Sequence, residues 1–256
     1  MELGHLSSES LEAALARVAR HYAAGRYQAA VDLSYEIDAA HGALAETQHP
    51  RGLALYALGD KDGGLHMIQD AATFLPENGA IQADIGALLA QDGRYEEALL
   101  YFEEATRLAP HYAPGWSNLG AVWFTLEAYS SAIPPLQKAV EIDPNLMDAQ
   151  LNLATALMHA QRFRPAVEAY YKVLALDPND VAAHLGLSAA LYRLERHDSA
   201  LYHAEKALEL RPNATQAQLH IGNALASLGQ MEAAADHLLA ASQGPGGIGG
   251  CPGLST

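Results

Sequence analysis

The apolar and polar positions of this chain repeat with a period of 34 residues. In the stretch from Ala113 to Leu146, the large apolar residues Trp116, Leu119 and Trp123 occupy positions 4, 7 and 11. That spacing follows the turn of an α-helix and gathers them on one face. Position 8 holds Gly52, Gly86, Gly120, Ala154, Ser188 and Gly222 in successive units, and position 20 holds Gly64, Ala98, Ala132, Ala166, Ala200 and Ala234. Small residues return at position 27 as Ala71, Ala105, Ala139, Val173, Ala207 and Ala241. Helices approach closely only where such side chains let one backbone sit against another. Pro76, Pro110, Pro144, Pro178 and Pro212 stand at position 32, where proline ends a second helix. The pattern predicts helix pairs without a sheet, turning near Gly25, Gly59, Gly93, Glu127, Gln161, Glu195 and Gly229.

A 34-residue unit with this signature resembles the tetratricopeptide repeat. The resemblance spans nearly the whole chain and implies an all-α, right-handed α-α superhelix (a solenoid) of about seven helix pairs. The units fall at 11–44, 45–78, 79–112, 113–146, 147–180, 181–214 and 215–248. A polar lead occupies 1–10, with Ser8 or Ser10 as a helix cap. A Gly/Pro-rich tail occupies 249–256, its composition beginning near 244, with Pro245 close to the expected repeat proline. The first unit is degenerate, with Val18 at position 8 and Gly42 in place of proline. Pro50 is expected to open the first helix of its unit, leaving a long linker over 42–49. Pro134 and Pro135 fall in a helix expected to begin near Ser130, which they should distort without breaking. Ala233 to Ala241 is largely apolar and lacks a polar closing helix. The expectation is a further domain or a second chain covering that end.

Charge narrows the partner. The net charge is −15, and from Asp60 to Glu104 ten acidic residues stand against Lys61 and Arg94, leaving −8. No basic stripe offsets this, so nucleic acid and anionic membrane surfaces are excluded as partners. The single cysteine, Cys251, permits no internal disulfide and no cysteine-based zinc site. No apolar run reaches the length of a membrane span, and MELGHLSSES lacks the features of a signal peptide. A cytoplasmic location is the expectation.

The twelve histidines form no metal-binding pair on one helical face, and no serine sits in a nucleophile turn. No catalytic constellation, cofactor site or metal site is expected. The informative stripe lies on the first helix of each unit at positions 2, 5, 6, 9 and 12, which the resemblance places along a concave groove. Position 6 supplies Asp84, Asn118, Asn152 and His220, and position 9 supplies Thr155 and Asn223. Position 12 supplies Tyr22, Tyr56, Phe124, Met158 and Tyr192. A primary amide donates and accepts at once, so stacked asparagines can hold the backbone of an extended peptide. Asn118 and Asn152 resemble the asparagine ladder in the arm of O-linked N-acetylglucosamine transferases, although Asp84, Gly186 and His220 interrupt it. Lysine and arginine are absent from positions 5, 6 and 9, and only Arg193, at position 13, approaches the groove. That argues against the carboxylate clamp of tetratricopeptide co-chaperones. The expected function is a scaffold or adaptor that binds a protein or peptide. The alternatives are the recognition arm of a larger glycosyltransferase and self-association through the last repeat.

Overall fold

The computed structural model describes residues 10–243. The lead before Ser10, including Ser8, and the tail from 244, including Pro245 and Cys251, lie outside them. The described residues form fourteen α-helices and no strand. The first helices of the pairs are α1 (Leu11–Ala23), α3 (Ala45–Ala57), α5 (Gly79–Gln91), α7 (Ala113–Thr125), α9 (Met147–His159), α11 (Val181–Arg193) and α13 (Thr215–Ser227). Their partners are α2 (Tyr27–His41), α4 (Lys61–Phe74), α6 (Tyr95–Leu108), α8 (Tyr129–Ile142), α10 (Phe163–Leu176), α12 (His197–Leu210) and α14 (Met231–Gln243). Two compact units result, the first ending at Asn118 and the second beginning at Leu119, within α7. From α1 to α6 in the first unit and from α8 to α14 in the second, each helix packs on the next, and α9, α11 and α13 also touch in succession.

The turn inside each pair is the same device seven times over. Gly25, Gly59, Gly93, Glu127, Gln161, Glu195 and Gly229 all adopt positive φ, between 56° and 104°. The next residue's N–H then reaches back five residues, as from Arg26 to the His21 carbonyl at 2.9 Å and from Arg162 to that of Leu157 at 2.8 Å. This bond satisfies a carbonyl that the helix end would leave unpaired, and closes it in a Schellman motif. Glu127, Gln161 and Glu195 hold a conformation that costs an L-residue roughly 1–2 kcal/mol, and the recurring bond offsets it.

The small positions are packing positions. Ala98, Ala132 and Ala166 are fully buried, as are Ala71, Ala139 and Ala207. A Cβ on Gly120 would lie 2.5 Å from Leu136 Cγ, and one on Gly222 2.6 Å from Leu238 Cγ. Ser10 caps α1, its hydroxyl accepting from the Ala13 N–H at 3.3 Å.

One proline expectation needs correction. Helix α3 does not begin at Pro50 but at Ala45, in register with every other first helix, and Pro50 lies inside it. The additional turn is held from outside. Asp38 accepts from the Leu44 N–H at 3.3 Å and from the Thr47 hydroxyl at 2.5 Å, and it also pairs with Arg51. These contacts anchor the first turn, although the Glu46 carbonyl still loses the donor that proline removes. Helix α8 begins at Tyr129, one residue earlier than expected, so both Pro134 and Pro135 are interior and each deletes a backbone bond. The carbonyls released belong to the exposed Ser130 and Ser131, and the helix continues unbroken to Ile142.

Candidate functional site

Position 12 is tied to position 17 across the turn, a contact the sequence stripe does not reveal. The rings of Tyr22 and Tyr27 lie 5.4 Å apart, as do those of Phe124 and Tyr129, and Tyr192 lies 5.2 Å from His197. Lys61 sits over the Tyr56 ring in the same relation. Tyr56 is only 6% exposed, and its hydroxyl donates to the Leu88 carbonyl at 3.3 Å, so it belongs to the core and not to an open groove. Phe124 is half-buried against Tyr129, which in turn stacks on His159 at 4.3 Å.

In the second unit four of the candidates come together. Met158 of α9, Tyr192 of α11, and His220 and Asn223 of α13 line one pocket of about 200 Å³ with Ser188, Ala189 and Arg193. The Tyr192 hydroxyl accepts from Ser227 at 3.2 Å. Arg193 lies over the Phe163 ring at 4.8 Å and meets no carboxylate among the described residues. Burial pushes the His220 imidazole pKa below its ordinary value, and its Nδ1 is buried with no partner. The amides of Asn152 and Asn223 are half-buried and make no hydrogen bond within the described residues. A half-buried amide without a partner is a group that a ligand can satisfy.

The gap in the asparagine series at Gly186 has a structural cause. The ring of Tyr170 lies where a side chain at Gly186 would be, and its hydroxyl donates to Thr155 Oγ1 at 3.2 Å. Burial raises the Tyr170 pKa and the bond to Thr155 opposes that shift. Thr155 also donates to the Leu151 carbonyl at 2.9 Å. A Tyr–Thr pair thus occupies the place of an amide.

Of the remaining candidates, Asp84 and Asn118 belong to the first unit. Asp84 is engaged by His49 at 2.8 Å, whereas Asn118 is half-buried without a side-chain hydrogen bond.

The histidine pattern along single helices concealed a pair formed across helices. His184 Nε2 lies 3.1 Å from the Pro178 carbonyl, and only a donor is accepted there. Its Nδ1 therefore accepts from His203 Nδ1–H at 3.0 Å, and His203 Nε2 is left to accept from the Tyr171 hydroxyl at 3.4 Å. Burial and the neighbouring His184 push His203 down to about 4. The donor to the position-32 carbonyl recurs at position 4, from Trp116 to Pro110 and from Gln150 to Pro144. This network braces the repeat junction. Among the described residues no group of three or more His, Cys, Asp or Glu could hold a metal ion, and no helix is long and apolar enough to cross a membrane.

A family model described as tetratricopeptide repeat matches residues 49–113, 84–146, 151–215 and 200–248. No curated protein matches. Among solved structures, YrrB, described as a TPR protein with an unusual peptide-binding site, is 22% identical with a TM-score of 0.64, over 68% of this chain and 90% of that one. MamA from Desulfovibrio magneticus RS-1 is 22% identical with a TM-score of 0.61, over 64% and 93%. PilF of Pseudomonas aeruginosa is 18% identical with a TM-score of 0.69, over 81% and 94%. At these identities the likeness is one of fold.

Proposed function

This chain belongs to the tetratricopeptide repeat family, and on that premise we propose that it is a scaffold that binds an extended peptide segment of a protein partner along the first-helix stripe. The observation that carries the reading is the pocket shared by α9, α11 and α13, where Met158 and Tyr192 offer apolar surface beside the free amide of Asn223. Within the second unit Asn152 and Thr155 continue that stripe, with Phe124 on α7, whereas Asp84 and Asn118 hold the same repeat position, 6, in the first unit. Free amides exchange bonds with a peptide backbone whatever its side chains, and apolar burial supplies the larger share of affinity. The peptide-binding site of YrrB, a protein of the same fold, supports the reading by analogy.

The test starts from peptides selected from a display library against the whole chain, each then measured on the Asn152→Ala, Asn223→Ala double variant. Each lost bond is worth ~0.5–1.5 kcal/mol, so binding should weaken about tenfold with circular dichroism unchanged. Selected peptides that bind the double variant as tightly as the parent would overturn the reading.

Two extensions belong to the same proposal. Self-association through the last repeat is supported by Leu238. Its counterparts at position 24, Ile68, Phe102, Leu136, Tyr170 and Ala204, are all buried, whereas Leu238 is half-exposed beside the exposed Met231 and Leu239. Sedimentation that stays monomeric across concentration would remove it. A role as the arm of an O-linked N-acetylglucosamine transferase-like enzyme is supported only by Asn118 and Asn152 at one repeat position, and it requires a catalytic domain encoded in the same gene.

A further inference from the structure

The second and third repeats carry a surface that the groove does not use. A trough of about 630 Å³ opens on the first unit. Phe74, Leu75 and Pro76 wall it where α4 passes into α5, Ala109 and Tyr112 wall it beyond the end of α6, and Glu77 stands in its lining. Phe74 is 68% exposed, and no large apolar side chain among the described residues is more so. Apolar residues scattered singly over a surface need no explanation, but aromatic side chains gathered around one concavity mark a contact site.

The charge around the trough is one-sided. Every cation of the stretch from Asp60 to Arg107 is already engaged: Lys61 by Asp92, Arg94 by Glu97 at 2.7 Å, and Arg107 by Glu104 at 2.7 Å. Glu77, in the trough itself, makes no direct ion pair among the described residues, although the more distant Arg107 attracts it; Asp62 (near Arg94), Glu96 and Glu103 make none either. Asp70, which also lies 3.2 Å from the exposed His66, precedes Phe74 by one helical turn, so the exposed ring lies between carboxylates on either side in sequence. A phosphate-bearing partner would be repelled, and a cationic one attracted. From this complementarity we propose that the trough docks a protein segment with an aromatic anchor flanked by Lys or Arg. The ring of the anchor packs on Phe74 and Tyr112 while the flanking cations meet Glu77 and Asp70. This site is separate from the first-helix stripe and stands or falls independently of it.

The experiment uses the full chain and fluorescein-labelled KKWKK, KKAKK and EEWEE peptides, read by fluorescence anisotropy at low and high salt. KKWKK should bind about tenfold more tightly than the other two, and its affinity should fall as salt rises. Phe74→Ser should weaken KKWKK about tenfold at either salt. Glu77→Lys should weaken it chiefly at low salt and flatten the salt dependence. The Asn152→Ala, Asn223→Ala variant should bind KKWKK like the parent chain. No binding of KKWKK, equal binding of KKAKK, an unchanged Phe74→Ser variant, or loss in the Asn152→Ala, Asn223→Ala variant would each overturn the proposal. The last of these would place the peptide on the stripe instead.

Discussion

The crossing of α3 and α4 carries glycine on both sides, and it makes Gly64→Ala a sharp test of how the pairs are held. A Cβ on Gly64 would lie 2.5 Å from the Gly52 carbonyl oxygen and 2.6 Å from the Tyr56 nitrogen. Both are helix backbone, so neither can swing aside as a side chain would. Comfortable contact needs about 3.5 Å, so the two helices would have to part by on the order of 1 Å. Overpacking of this kind costs roughly 1–3 kcal/mol. Against it, alanine is favoured over glycine inside a helix by ~0.8–1 kcal/mol. The net expectation is a loss of about 1 kcal/mol, the packing cost exceeding the propensity gain. Gly52→Ala meets the same barrier from the other side, with its Cβ 2.7 Å from the Gly64 carbonyl oxygen. Once the helices have parted for one methyl, the second enters relaxed space. The double variant should therefore lose less than the two single losses together, by roughly 0.5 kcal/mol or more. Urea unfolding followed by far-ultraviolet circular dichroism reads all three. A Gly64→Ala protein about 1 kcal/mol more stable than the parent would refute the reasoning, because propensity alone would then govern the site.

Asp38→Ala strands the buried Arg51, which also donates to the Ser34 carbonyl at 2.9 Å, and should cost about 3–5 kcal/mol by urea unfolding. Replacing Arg51 and Asp38 together by leucine should restore most of that loss, since position 7 holds Ile85, Leu153 and Leu187 elsewhere. His203 is held neutral, its pKa lowered from 6.5 to about 4, so its contribution is fully present above 6.5. It should be lost as pH falls toward 4, because the unfolded chain takes up the proton first, and on the order of 2–3 kcal/mol should disappear across that window. Stability that declines equally between pH 6.5 and 4 in a His203→Gln variant would assign the loss to other groups. Ala132→Leu, at a fully buried position, should lower stability by ~1–3 kcal/mol, and an unmoved melting curve would show a looser junction than the structure describes.

The repeat register by itself determined the helix boundaries and the turn positions. The positive φ of Glu127, Gln161 and Glu195 is the clearest case, since nothing in those residue types favours it. They were legible only because Gly25, Gly59, Gly93 and Gly229 hold the same repeat position. The register of α3 was legible in the same way, and Pro50 misled because local propensity was set above the repeat. What the sequence left open is which side chains meet across helices. Arg51 finds Asp38, His184 finds His203, Tyr170 fills the place beside Gly186, and Tyr56 turns into the core. The period is written in short-range spacings that every unit repeats, so helix pairing follows from any one of them. Polar partners are joined at separations of 9 to 35 residues, between helices whose approach is set by the small residues at their crossings. Only the packed structure fixes that approach, and with it which amides are left free for a ligand.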